Sequence, residues 1–282
     1  MTAADDSALV AADTGRQDAV LYDVTDSGVA VVTLNRPERL NSWGGDISAG
    51  FYACMDRAEA DPAVRAIALT GTGKGFCAGA NLGSAATIEE SLSNAQTSDV
   101  SQMVGERHPH FLTALRKPVI AAVNGACVGI GLTYALMCDV RFAAAGAKFA
   151  TAFTRRGLIG EYGITWILPR LAGWGVAMDL LLSGRTFYAE EAAKLGLVKE
   201  VVAPEQLMAR TMEYAEDIAR NCSPASLAVI KQQAYADTLR DVADVSARAE
   251  TLMHESMLRP DLIEGITSFL EKRPSHFPPL SQ

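Results

Sequence analysis

The run Lys117-Pro118-Val119-Ile120-Ala121-Ala122-Val123-Asn124-Gly125-Ala126-Cys127-Val128-Gly129-Ile130-Gly131 constrains the fold more than any other segment of this chain. Its apolar, β-branched first part, residues 119–123, reads as a buried strand. Gly125, Gly129 and Gly131 interrupt it, and residues 132–138 resume as an apolar helix. A strand, a glycine turn and a helix start together aim free backbone N–H groups at a negatively charged oxygen. The turn carries no lysine to grip a phosphate, which argues against a P-loop and for a developing enolate or oxyanion. Taken alone, one such turn fits a tight strand–helix connection with no ligand equally well.

A second segment shifts that balance. Residues 64–71 read as another buried strand, and Gly73-Lys74-Gly75-Phe76-Cys77-Ala78-Gly79-Ala80-Asn81-Leu82 follows as a loop of mostly small residues. Backbone can approach a ligand closely there. Two such loops, each after a strand, can give one N–H apiece to a single oxygen.

The rest of the chain supplies the frame. Val20–Val24 and Val29–Leu34 flank the turn-forming Thr25-Asp26-Ser27-Gly28 and predict a β-hairpin. Asp46 reads as the N-cap of a helix over 47–60, ended by Asp61-Pro62. Residues 83–113 are polar and irregular, a candidate mobile segment over the site. Residues 140–144 read as a short strand, and helices are expected over 204–220, 223–258 with a break near Asp241, and 261–272. Ser223-Pro224 is a good helix start. Residues 1–16 are expected to be a mobile tail, 17–203 the core and 204–282 a helical region.

Composition narrows the function. With 282 residues, 49% of them hydrophobic, the chain can bury one large core. Its net charge of −8, without a basic run, argues against nucleic acid. Cys54, Cys77, Cys127, Cys138 and Cys222 lack metal-ligand spacing and read as reduced thiols, so no metal site and a cytoplasmic location are expected. The N-terminus has no basic segment leading into an apolar one, and no apolar run has the length of a membrane span.

These segments, in this order, are similar to the crotonase superfamily, the enoyl-CoA hydratase/isomerase group. Leu34-Asn35-Arg36-Pro37-Glu38-Arg39-Leu40-Asn41 resembles its first motif, and the two loops above resemble its oxyanion-hole segments. Leu182-Ser183-Gly184-Arg185, Ala189-Glu190-Glu191-Ala192, Gly196-Leu197-Val198 and the run from Glu264 to Arg273 resemble its later motifs. The resemblance implies an α/β fold, a spiral of ββα units with a C-terminal helical trimerisation region, and a homotrimer or dimer of trimers. It implies an acyl-CoA substrate, with coenzyme A as part of that substrate and no separate cofactor. The backbone N–H groups of Ala80 and Ile130 take the oxyanion-hole positions. Arg39, Leu40 and Ser42, with Ala78, Asn81 and Leu82, resemble the segments that wrap the pantetheine and adenine. Lys272 and Arg273 resemble terminal cations that reach a CoA phosphate, on this subunit or a neighbour.

The chain departs from its family at the acid and base. Hydratases of this group use two glutamates, and the corresponding positions here hold Thr133 and Phe153. Neither transfers a proton at neutral pH. Glu161 is the remaining nearby acid. Flanked by Ile159, Tyr162, Ile164 and Trp166, it is expected to act as a base of raised pKa. The alternative is a structural ion pair with Arg155, Arg156 or Arg170. Tyr162 and Trp166 are expected to line the acyl pocket; His108 and His110 can approach that pocket from the segment 83–113, but are expected to be exposed loop residues without a role. The function expected is enolate chemistry on an acyl-CoA, hydratase- or isomerase-like. C–C bond hydrolysis of a ring-ketone acyl-CoA and non-catalytic acyl-CoA binding stay open beside it.

Overall fold

A computed structural model describes residues 18–81 and 107–280. Leu82, the N-terminal tail and most of the segment 83–113 lie outside the described residues. The predicted hairpin forms: β1 (Val20–Val24) pairs antiparallel with β2 (Val29–Leu34), Val20 opposite Leu34. From β2 the sheet continues in parallel through β3 (Ala66–Gly71), β5 (Val119–Val123), β7 (Val140–Ala144) and β10 (Glu200–Val202). Parallel strands covered on both faces need continuous apolar runs rather than alternation. Val119–Val123 meets that requirement, since all five residues are buried.

A second, smaller sheet is the feature that the glycine run hid. The strand does not lead through one turn into the helix. After β3 the chain steps across into β4 (Gly75–Cys77), and after β5 it steps across into β6 (Ala126–Val128). These pair in parallel, Cys77 beside Cys127, and β8 (Lys148–Ala150) and β9 (Thr186–Tyr188) complete the sheet. The steps β3–β4, β5–β6 and β7–β8 thus each deposit one strand in the large sheet and one in the small, and a helix follows β6 and β8. That is the predicted spiral of ββα units.

Gly125 and Gly131 are needed where the circuits touch. A Cβ on Gly125 would overlap the Lys74 carbonyl, and one on Gly131 the Cys77 carbonyl. Only hydrogen at these positions lets successive turns pack backbone to backbone.

The first helix, α1 (Asp46–Ala60), lies against the hairpin. Its N-cap is Gly45 rather than the expected Asp46, whose carboxylate is drawn instead to Arg36 at 2.6 Å. The C-terminal helices follow the predicted pattern: residues Leu207–Asn221, Pro224–Ala236, Val242–Met257 and Pro260–Glu271. Ser223 caps the second by accepting the Ser226 N–H, and Asp241 caps the third at the expected break. No helix of the described residues is long and apolar enough to cross a membrane.

Candidate active site

The two small-residue loops leave neighbouring strand ends, because β4 and β6 are paired. Trp43 forms a parallel bridge to Ala80: its N–H donates to the Gly79 carbonyl at 2.7 Å, and its carbonyl accepts the Asn81 N–H at 2.8 Å. In such a bridge the opposed residue directs its own N–H to the other side. The Ala80 N–H has no hydrogen-bond acceptor among the described residues. Ile130 opens the helix Ile130–Met137, and Gly129 before it holds φ at +55°. The N–H of a first helical residue has no intrahelical partner. Ala80 and Ile130 line the same small cavity, about 90 Å³, together with Ala78, Phe153, Arg156 and Glu161.

Glu161 is half-buried and carries the geometry furthest. It lines this small cavity and also a second one of about 770 Å³, walled by Met137, Tyr162, Trp166, Tyr235, His108 and His110. The Glu161 carbonyl accepts the Ile164 N–H at 3.1 Å, so the residue sits on a turn that opens the helix Ile164–Ala172. Tyr162 completes that turn at φ +56°, a left-handed conformation costly for a bulky side chain. Burial raises the Glu161 pKa, and no other cause contributes.

The alternative, an ion pair from Glu161 to Arg155, Arg156 or Arg170, does not form among the described residues. Arg155 donates to the Ser183 carbonyl at 2.8 Å and Arg156 to the Ala152 carbonyl at 3.2 Å. Arg170 lies 4.1 Å from the centre of the Trp166 ring and donates to the Trp166 carbonyl.

The other site residues fall into four groups. Phe153 lines the small cavity, and Tyr162 and Trp166 line the large one. Thr133 lines neither: it is fully buried, its hydroxyl turned back onto the Gly129 carbonyl at 3.2 Å. Arg39, Leu40 and Ser42 adjoin the first donor loop. The Ala78 N–H donates to the Leu40 carbonyl at 3.0 Å, the Ser42 hydroxyl to the Arg39 carbonyl, and Asn41 ties the motif to the Thr72 and Gly75 carbonyls. Lys272 and Arg273 are not at this cavity within one chain. Arg273 grips Glu264 through two hydrogen bonds and Glu271 through a third, and Lys272 caps its helix.

Sequence reasoning left the two histidines, which line the large cavity, without a role, and it missed Tyr235 as a cavity residue and the placement of Arg156. Tyr235 sits in the predicted C-terminal helices more than seventy positions from Glu161, with no spacing to betray it. The three buried cysteines are poor nucleophiles, since burial pushes the Cys77 and Cys138 thiols up to about 12.

Known proteins place the chain in a family. The family model for enoyl-CoA hydratase/isomerase matches residues 24–279. A 1,2-epoxyphenylacetyl-CoA isomerase of Escherichia coli is 37% identical, covering 89% of this chain and 95% of its own. A short-chain-enoyl-CoA hydratase of Clostridium acetobutylicum is 34% identical over 87% of this chain and 92% of its own. Among solved structures, an enoyl-CoA hydratase from Mycobacterium marinum is 66% identical with a TM-score of 0.67, covering 79% of this chain and all of its own. The chain belongs to the enoyl-CoA hydratase/isomerase family of the crotonase superfamily, and is an enzyme of that family.

Proposed function

We propose that the protein isomerises an unsaturated acyl-CoA through a thioester enolate, with the Ala80 and Ile130 N–H groups holding the enolate oxygen and Glu161 moving the proton. Glu161 carries this reading: a carboxylate without a counter-ion among the described residues, lining the same cavity as both N–H donors. A thioester oxygen gains charge as its α-carbon loses a proton, and each preorganised N–H is worth about 3 kcal/mol at that point. Coenzyme A enters as part of the substrate. The Ala78–Asn81 loop and the motif strapped to it from Arg39 to Ser42 are positioned to hold its pantetheine.

Isomerisation suits one carboxylate better than hydration does. Adding water across a double bond calls for a second group to hold the water, and Phe153 fills the place where the family keeps one. The isomerase name of the Escherichia coli relative points the same way. The test compares double-bond migration in 3-hexenoyl-CoA with hydration of crotonyl-CoA. Faster hydration than migration would overturn the reading.

Restoring one glutamate is not expected to restore hydration. Phe153→Glu should hydrate crotonyl-CoA no better than the parent, because Thr133 still supplies no second carboxylate. Phe153 is only 4% exposed, so the new carboxylate would also be buried without a partner. Assays of the single variant and of Thr133→Glu/Phe153→Glu check this; efficient hydration by the single variant would refute the two-carboxylate argument.

The homotrimer is part of the same reading. The C-terminal helices leave Leu258, Ile263, Phe269 and Leu270 more than 70% exposed in one chain. So large an apolar face calls for a partner surface. Sedimentation equilibrium is expected to return three or six times the mass of one chain, and a monomer would exclude it.

A further inference from the structure

The large cavity holds a second group suited to proton transfer, one that enolate formation at Glu161 leaves unused. His108 lines that cavity with Glu161 but comes from a different segment. Its ring centre lies 6.1 Å from that of Tyr162, the residue next to Glu161. On its other side the His110 ring stacks against it at 5.9 Å and 19°.

The turn that presents His108 is anchored. Arg107 before it accepts the Tyr52 hydroxyl through its carbonyl at 2.7 Å and pairs with Asp56 through its guanidinium. The Phe111 N–H donates to the His108 carbonyl at 3.0 Å, and Leu112 is fully buried beneath. An exposed imidazole on a fixed turn, facing an apolar cavity, has a defined place relative to an acyl group bound there. The titratable groups facing it are Glu161, Tyr162, His110 and Tyr235. Tyr235 donates to Asp139, which pairs in turn with Lys231.

We propose that His108 is a second catalytic acid–base group, serving the γ-carbon of the acyl chain while Glu161 serves the α-carbon. The proposal rests on Glu161 being the base of an enolate reaction. In a β,γ-unsaturated thioester the Glu161 carboxylate takes the α-proton. The C–H electron pair becomes a dienolate whose oxygen lies at the two N–H donors. That pair then returns, the α,β double bond forms, and the γ-carbon bonds to the proton given by the His108 imidazolium. Glu161 is left protonated and His108 neutral. Glu161 releases its proton to solvent and His108 takes one up, so the product is an isomer of the substrate. Imidazole suits this task because it gives and accepts a proton near neutral pH.

The test measures 3-hexenoyl-CoA isomerisation by the full chain and, separately, exchange of the α-protons of butyryl-CoA with D₂O. His108→Asn is expected to isomerise about a hundredfold more slowly, the lower range for acid–base catalysis. It should still exchange α-protons. Isomerisation within twofold of the parent would overturn the proposal. So would loss of α-exchange in His108→Asn, which would place the residue at the thioester end. If Glu161→Gln still exchanges α-protons, the reading beneath falls and this one with it, an outcome distinct from failure at His108 alone.

Discussion

Glu161→Gln is expected to lower acyl-CoA turnover at least about a hundredfold while leaving fold and CoA affinity intact. The amide keeps the size of the side chain and removes its ability to take a proton. The competing role, a structural salt bridge, has no counterpart among the described residues: Arg155, Arg156 and Arg170 all bond to carbonyls. The two roles also differ in their effect on stability. Burial raises the folded-state pKa of Glu161, so the folded chain binds this proton more tightly than the unfolded chain does. That penalty on folding is absent below the unfolded pKa and grows as pH rises through the folded one. At neutral pH the glutamine variant is therefore expected to melt no lower than the parent, whereas loss of an ion pair would lower it. The same shift places the acidic limb of the parent's kcat/KM above the ordinary glutamate range. Parent-like turnover in the purified variant would refute the assignment.

Gly131→Ala is expected to damage stability and activity together. The added Cβ would overlap the Cys77 carbonyl and side chain, and a carbonyl in a paired strand cannot swing aside. Overpacking of this kind costs about 1–3 kcal/mol, which for a chain of this size lowers the melting temperature by roughly 2–5 °C. Relief requires the two donor loops to part, and losing one oxyanion donor costs about 10²–10³ in kcat. Gly146→Ala is the contrast on steric grounds, since nothing lies within 4 Å of a Cβ there, although its φ of +75° carries strain of its own. Thermal melts and turnover of both variants check this. Unchanged kcat in a destabilised Gly131→Ala would separate the packing argument from the catalytic one.

The legible parts of the sequence were those with a local physical signature. Val119–Val123 had to be a buried strand because it offers no polar residue to a solvent face. Ser223-Pro224 had to start a helix because a hydroxyl cap and a fixed φ coincide. The second sheet was not legible: β4, β6, β8 and β9 have three residues each, too few for a period to appear. Gly125 read as part of a turn when its role is to let the second circuit pass the Lys74 carbonyl. Glu161 was found by eliminating Thr133 and Phe153, a step that needed the family pattern. Tyr235 was invisible as a cavity residue, and the approach of His108 stayed open, because only the folded chain brings residues 108, 161 and 235 to one wall.

The paired step of the chain from one sheet into the other has a consequence for how such an enzyme changes over generations. The Ala80 and Ile130 N–H groups follow strands of the small sheet, whereas the wall of the large cavity comes mainly from the turns at 107–114 and 159–166 and the helix carrying Tyr235, with Met137 added from the far end of the helix that Ile130 opens. On the proposed reading, substitutions in the turns at 107–114 and 159–166 reshape the acyl wall without touching either donor loop, and a lineage can sample new acyl groups without first losing its chemistry. Among the described residues Glu161 alone belongs to both linings. It is the position at which drift in substrate and drift in reaction are no longer independent.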